Sequence, residues 1–384
     1  TAYEISTRDW SSDVCSSDLA LLLIVVHETK SYALAGLMVA TASIVITFAQ
    51  PFWSRYADQF GQSRALYLNT IFRLIGFSIF ILLVHYKFPI WSWFVAIIFA
   101  ELNTISAGGL VRRRWILVLP HEKLKTTAYS FEALVDEIVF VFGPLIATAL
   151  STYVAPEAGL IASMSFVALG QPALARLKDT EPPFGTKNQT NAEVSIWKRR
   201  SAQAIILPIF FVGAYFGSVG ITVLAFLNSI KRPELTGALL AIWALGSATA
   251  AIFNGVIKWR MNHAQLFTFA LTLMLIASFA LLLVNNVWQL AVVLYFNGIG
   301  ISPVLVNAYA TMESEVSTEE LTEAMTWVTT GTPTGGALGS AVAGQIIDKF
   351  GASQGFWIPI AALIIANLAL LPYLNVWLRL RSRS

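Results

Sequence analysis

The chain has 384 residues, 56% of them hydrophobic and 12% charged, against about 25% charged in ordinary soluble domains. A soluble fold this apolar could not cover its surface with polar groups, so the composition excludes that class and points to a chain that lives in lipid. The formal charge of +3 makes no case for a nucleic-acid partner, and the single cysteine, Cys15, excludes an internal disulfide.

Residues 1–18 are polar, acidic and aperiodic, and the run Asp9-Trp10-Ser11-Ser12-Asp13-Val14-Cys15-Ser16-Ser17-Asp18 resembles translated sequencing-adapter read-through. This stretch is set aside as a non-native or disordered segment, and no cleavable signal peptide is read in it. The apolar run 19–26 that follows gives about 12 Å of helix, where the hydrocarbon core is about 30 Å thick, so the first helix is expected to be truncated. Eleven further apolar spans are read at 33–53, 65–84, 90–111, 127–150, 159–175, 203–227, 235–257, 264–284, 288–310, 322–347 and 353–378. Counting the stub, the expectation is an all-α polytopic membrane protein of twelve transmembrane helices.

The longest polar stretch, 176–201, holds Pro182, Pro183, Gly185 and the run Lys198-Arg199-Arg200. It divides the chain into six-helix bundles at 19–175 and 202–378, leaving a basic tail at 379–384. With the amino terminus inside, the inner loops collect Arg55, Arg64, Arg112, Arg113, Arg114, Lys123 and Lys125 as well as the basic linker and tail. The outer loops hold only Lys30, Lys87, Lys231, Arg232 and Lys349. That asymmetry puts both termini and the linker in the cytoplasm of a bacterial inner membrane. On this reading Arg112, Arg113 and Arg114 are topology determinants at the membrane edge.

Between the 33–53 and 65–84 spans lies Ser54-Arg55-Tyr56-Ala57-Asp58-Gln59-Phe60-Gly61-Gln62-Ser63-Arg64. This loop resembles the G-x-x-x-D-R-x-G-R-R loop of the major facilitator superfamily. Asp58 and Gly61 keep their places and Arg64 keeps one positive charge, while Ser54, Gln59, Gln62 and Ser63 depart from the pattern. Gly143-Pro144 in the fifth span resembles part of that family's antiporter signature, and the segment from Phe131 to Pro144 is similar to poorly characterised actinobacterial members of the efflux type. Val139, Ala147 and Thr148 stand where the signature has glycines. The resemblance implies the major facilitator fold and alternating access by rocking of two halves. It also implies a gating role for Asp58, Gly61 and Arg64.

A charge at mid-helix costs about 2.5–3.5 kcal/mol on insertion scales, so each one needs a reason. Asp136 and Glu137 lie near mid-span, Glu132 shares a face with Asp136, and Glu101 lies mid-span beside Asn103, Thr104 and Ser106. These four acids are the candidate proton-coupling residues, because a carboxyl in low dielectric can hold a proton at neutral pH. Arg73 is expected to form a structural ion pair with Glu101 or with an acid of the 127–150 span. Neutral candidates for a solute cavity are Asn103, Tyr215, Thr222, Tyr295, Asn297, Asn307 and Trp327, and each of these types also serves as an ordinary interhelical hydrogen bond. Gly298, Gly300 and Pro303, and separately Pro333, are expected hinges.

The four histidines show no metal spacing, and neither a phosphate loop nor a nucleophile elbow is present. No cofactor, metal or enzymatic activity is expected. The partners expected are the lipid bilayer, protons and a small-molecule substrate, with the protein a monomer. The reading is a secondary transporter exporting an amphipathic compound, with a sugar or metabolite importer as the alternative and a non-transporting scaffold behind both.

Overall fold

The computed structural model describes residues 13–119, 121–183, 200–256, 261–315 and 321–373. Most of the segment 1–18, most of the linker with Lys198 and Arg199, and the basic tail lie outside the described residues. The described elements are helical. The first group comprises α1 (Asp13–Thr29), α2 (Tyr32–Phe60), α3 (Gln62–His85), α4 (Ile90–Glu101), α5 (Ala107–Val118), α6 (Glu122–Tyr153) and α7 (Ala158–Ala175). The second comprises α8 (Arg200–Ser229), α9 (Thr236–Val256), α10 (His263–Ser278), α11 (Val287–Ile299), α12 (Ile301–Glu315), α13 (Leu321–Phe350), α14 (Ala352–Gly355) and α15 (Trp357–Leu370).

Among the described residues, nine helical segments are long and apolar enough to cross a membrane. The remaining expected spans correspond to α1, the α4–α5 pair and α13. Helix α1 has 17 residues, about 25 Å of rise and still short of the hydrocarbon thickness, although longer than the apolar run from which it was read. Phe48, Phe52, Trp91, Leu169, Ile252 and Trp288 are exposed. Such an apolar exterior suits lipid contact and would be an association hazard in water.

The chain forms two compact units. One comprises residues 1–30 and 41–189, the other residues 31–40 and 190–384. Helix α2 is therefore divided: its first turns belong with the second unit, the rest with the first.

In the first unit α3 packs on α4 and α7, and α1 packs on α6 and α7. Gly76 lies against the backbone of Ala100, where a Cβ would meet Ala100 Cα at 2.6 Å, so α3 and α4 approach at backbone distance. At the end of the unit where α2 meets α3, Trp53, Ala57, Leu66, Ile105, Val111, Trp115 and Leu174 form a buried apolar cluster.

In the second unit α8 and α13 run along each other, joined through small residues. Gly213 lies on Thr332, Gly217 on Gly336, Gly335 on Phe210 and Gly339 on Ala214, while Ser340 Oγ donates to Gly217 O at 3.0 Å. With little hydrophobic drive between helices in lipid, such small-residue seams supply the packing.

Two expectations change here. The 90–111 span is not one helix: residues 102–106 are non-helical and separate α4 from α5. The hinge expected at Gly298, Gly300 and Pro303 coincides with the junction of α11 and α12 at Gly300, but α13 passes through Pro333 without a break.

Candidate functional site

The break between α4 and α5 exists inside an apolar span because polar groups satisfy it. Trp53 Nε1 donates to Leu102 O at 2.8 Å, and Asn103 Nδ2 donates to Phe99 O at 2.8 Å. Glu101, the last residue of α4, is buried, and its Oε2 accepts from Thr104 Oγ1 at 2.6 Å. Facing it, Arg73 on α3 places an Nη2 at 3.9 Å from the same Oε2, with side-chain exposures of only 4% and 2% for the two residues. The Arg73 guanidinium lies 5.5 Å from the centroid of the Phe77 ring. Arg73 therefore pairs with Glu101 and not with an acid of α6.

One turn before Arg73, Asn69 is fully buried with neither amide atom hydrogen-bonded, and Arg73 Nε also lacks a partner. Buried polar groups are normally satisfied, so this concentration of unspent hydrogen-bonding capacity beside a buried ion pair and a discontinuous helix marks the strongest candidate site in the first unit. Asp18, which the sequence reading places in the non-native segment, interacts electrostatically with both Glu101 and Arg73.

The other acids go elsewhere. Glu132 is buried on α6, and its Oε2 accepts from Arg112 Nε at 2.9 Å. Asp136 and Glu137 are half-buried on α6 and sense each other's charge.

The end of the first unit at the α2–α3 turn carries a second cluster. Helix α2 ends at Phe60, and Gly61 turns the chain at φ 96° before α3 starts at Gln62. Only glycine adopts that conformation without strain, which accounts for its place in the loop. Asp58 pairs with Arg113, and the Arg64 guanidinium lies 6.0 Å from the centroid of the Phe60 ring.

Arg114 is fully buried. Its Nε donates to Gln62 Oε1 at 2.7 Å, while one Nη1 reaches Leu174 O at 2.9 Å, Leu177 O at 3.0 Å and Thr180 Oγ1 at 3.2 Å. It thus satisfies carbonyls at the C-terminal end of α7, where a cation also complements the helix dipole. Next to it, Ser63 N and Oγ reach Glu181 at 2.8 and 2.6 Å. The sequence reading treats the three consecutive arginines as generic topology determinants. Each also has its own partner: Glu132 for Arg112, Asp58 for Arg113, and the end of α7 with Gln62 for Arg114.

In the second unit several candidate cavity residues are locked inside the packing. Tyr215 and Asn297 are fully buried; Tyr215 Oη donates to Asn297 Oδ1 at 3.3 Å and Ser278 Oγ to the same atom at 2.5 Å. Thr222 is buried and donates to Gly355 O at 3.4 Å. Asn307 is buried, its Oδ1 at 2.9 Å from His263 Nδ1. These four are buried and hydrogen-bonded between elements in this structure. Asn103 and Tyr295 keep partial exposure, Tyr295 bonding Thr249 at 3.3 Å, and Trp327 is exposed.

Solved structures with the same fold cover nearly the whole chain. A mutant form of the nucleoside transporter NupG is 12% identical with a TM-score of 0.77, covering 97% of this chain and 99% of its own. A bacterial homologue of the iron transporter ferroportin, in an inward-facing state, is 13% identical with a TM-score of 0.72, at 97% and 99% coverage. A POT family transporter in complex with 5-aminolevulinic acid is 11% identical with a TM-score of 0.73, at 96% and 94% coverage. Identities this low speak for the fold alone. No curated protein matches the sequence. The family model described as Major Facilitator Superfamily matches residues 17–232 and 227–384, so this all-helical, multi-pass membrane chain belongs to the Major Facilitator Superfamily.

Proposed function

We propose that the protein is a proton-coupled transporter that exports a small amphipathic solute by alternating access, with Glu101 as the proton-carrying group and Arg73 as its counter-charge. The observation that carries this reading is the buried Arg73–Glu101 pair at the α4–α5 break, beside the unsatisfied Asn69. Protonation of Glu101 would remove the charge that holds Arg73 and free the guanidinium to reorganise. Deprotonation would restore the pair, so the two protonation states favour different local arrangements. Asp136 and Glu137 are the second candidates, since both are intramembrane acids with partial exposure.

Export of an amphipathic compound is supported by the Gly143-Pro144 pair on α6. The basic inner loops support cytoplasmic termini in a bacterial inner membrane. A monomer is the simplest assembly for a chain that carries both units.

In proteoliposomes with an interior pH dye and an imposed pH gradient, cationic dyes or antibiotics should trigger proton movement. Movement triggered by sugars alone would convert the reading to an importer. Proton movement no different from that of empty vesicles across dyes, antibiotics and sugars would count against proton coupling.

The Asp58–Arg113 pair is proposed as an inner gate. Its side chains are 43% and 38% exposed, so solvent screening keeps its contribution to stability at about 0–1 kcal/mol. Asp58→Asn should therefore leave thermal stability nearly unchanged while slowing turnover severalfold. Initial rates over a range of solute concentration test this, and a large loss of apparent affinity at unchanged turnover would contradict a gate.

A further inference from the structure

Among the described residues, three that are not glycine have a left-handed φ, and all three are lysines: Lys30 at 57°, Lys87 at 53° and Lys231 at 59°. Each follows a helix end. Lys30 comes directly after α1, and its amide donates to Val26 O at 3.0 Å. Just beyond α3, the Lys87 amide donates to Val84 O at 3.0 Å and the Phe88 amide to Leu83 O at 2.9 Å. The second unit repeats this arrangement beyond α8. There the Lys231 amide donates to Asn228 O at 3.1 Å and the Arg232 amide to Leu227 O at 2.8 Å. Pro89 and Pro233 follow two residues after their lysines. The last two turns are Schellman closures with lysine at the position that glycine normally fills.

A side chain is strained in this conformation, which is why glycine and asparagine dominate it. The chain places glycine at the comparable turns at Gly61 and Gly351, so the three lysines carry a cost for the sake of their side chains. A positive charge complements a helix C-terminus from anywhere in its last turn. The dipole alone therefore does not call for it at the one residue whose backbone disfavours a side chain. All three lysines are exposed, and among the described residues none of them forms an ion pair. Beside Lys87, Tyr86 is 68% and Trp91 69% exposed, and these are residue types of the boundary between lipid and water. Two spans, α2 and α3, separate Lys30 from Lys87, so these two turns reach the same membrane surface.

We infer that Lys30, Lys87 and Lys231 are headgroup anchors, each contacting the phosphate of an anionic phospholipid at the end of its own helix. An ammonium on a flexible four-carbon stem, with three donors and no acid beside it, suits a phosphate that sits at the level of the helix end. The turn fixes where the stem begins, and the stem lies along apolar surface while the charge stays in the headgroup layer.

The test titrates phosphatidylglycerol into the purified protein in a neutral detergent and follows the midpoint of thermal unfolding. The triple variant Lys30→Gly/Lys87→Gly/Lys231→Gly should need about fivefold more lipid for half of the rise, the worth of one lysine beside an anionic headgroup. Replacement of all three by arginine should keep the parental titration. Glycine suits each turn, so without lipid the triple variant should unfold at the parental temperature or above it, which controls for folding. Replacement by asparagine, which also tolerates a left-handed φ, is a second variant with the same expected shift. A parental titration in the glycine and asparagine variants would overturn the anchors. Phosphatidylcholine raising the parent's midpoint equally would overturn recognition of the negative charge. Inorganic phosphate acting as well as the lipid would assign the lysines to a free anion and overturn the headgroup.

Discussion

Replacing Arg114 with alanine is expected to lower stability by about 3 kcal/mol or more, the largest single loss around the α2–α3 turn of the first unit. The guanidinium is fully buried and bonds Gln62, Leu174 O, Leu177 O and Thr180. Hydrogen bonds to a charged group contribute about 1.5–3 kcal/mol each, and truncation leaves the buried Leu174 carbonyl and the Gln62 amide oxygen without that donor. Arg114→Lys should recover less than half of the loss. An ammonium is a point charge and cannot spread its donors between α7 and the start of α3 as the planar fork does. Thermal unfolding in detergent measures both variants. A lysine variant as stable as the parent would show that only the charge matters, and an alanine variant within about 0.5 kcal/mol of the parent would contradict the staple.

Arg73→Ala is expected to cost about 3–5 kcal/mol, because it removes one partner of a buried pair and leaves Glu101 uncompensated. Its side-chain exposure of 4%, and 2% for Glu101, means that water cannot take over the lost interaction. The double variant Arg73→Leu/Glu101→Leu should be more stable than Arg73→Ala alone, since removing both charges removes the stranded one. Thermal unfolding of the singles and the double closes the cycle. If Arg73→Ala loses little and the double loses more, the two residues are not an interacting pair.

The contrast between these residues shows what a single sequence conveys about a membrane chain. Glu101 and Arg73 are legible because ions are costly in a bilayer, so two opposite charges at similar depth on neighbouring spans invite pairing. Gly61 is legible through the resemblance of its loop to the family's pattern, and its φ of 96° gives the physical reason for a glycine there. The arginines at 112–114 convey less: a basic residue at the end of a span is accounted for by topology alone, and nothing local says that Arg114 is the buried one.

Tyr215, Asn297, Thr222 and Asn307 illustrate a second ambiguity. A polar residue in a span either faces a cavity or locks two helices, and its type alone does not distinguish the two. The break at 102–106 carries neither glycine nor proline, so periodicity gives no warning; it is held by a tertiary hydrogen bond from Trp53 and a local one from Thr104 to Glu101.

The most direct test of coupling through Glu101 compares the parent with Glu101→Gln in proteoliposomes, using a solute that moves protons with the parent. The amide is nearly isosteric and can still accept from Thr104, but it cannot exchange a proton. Glu101→Gln should still exchange solute across the bilayer at equal concentrations while moving no protons and building no gradient. Proton movement at the parental rate in Glu101→Gln would remove Glu101 from the coupling path and transfer the role to Asp136 or Glu137.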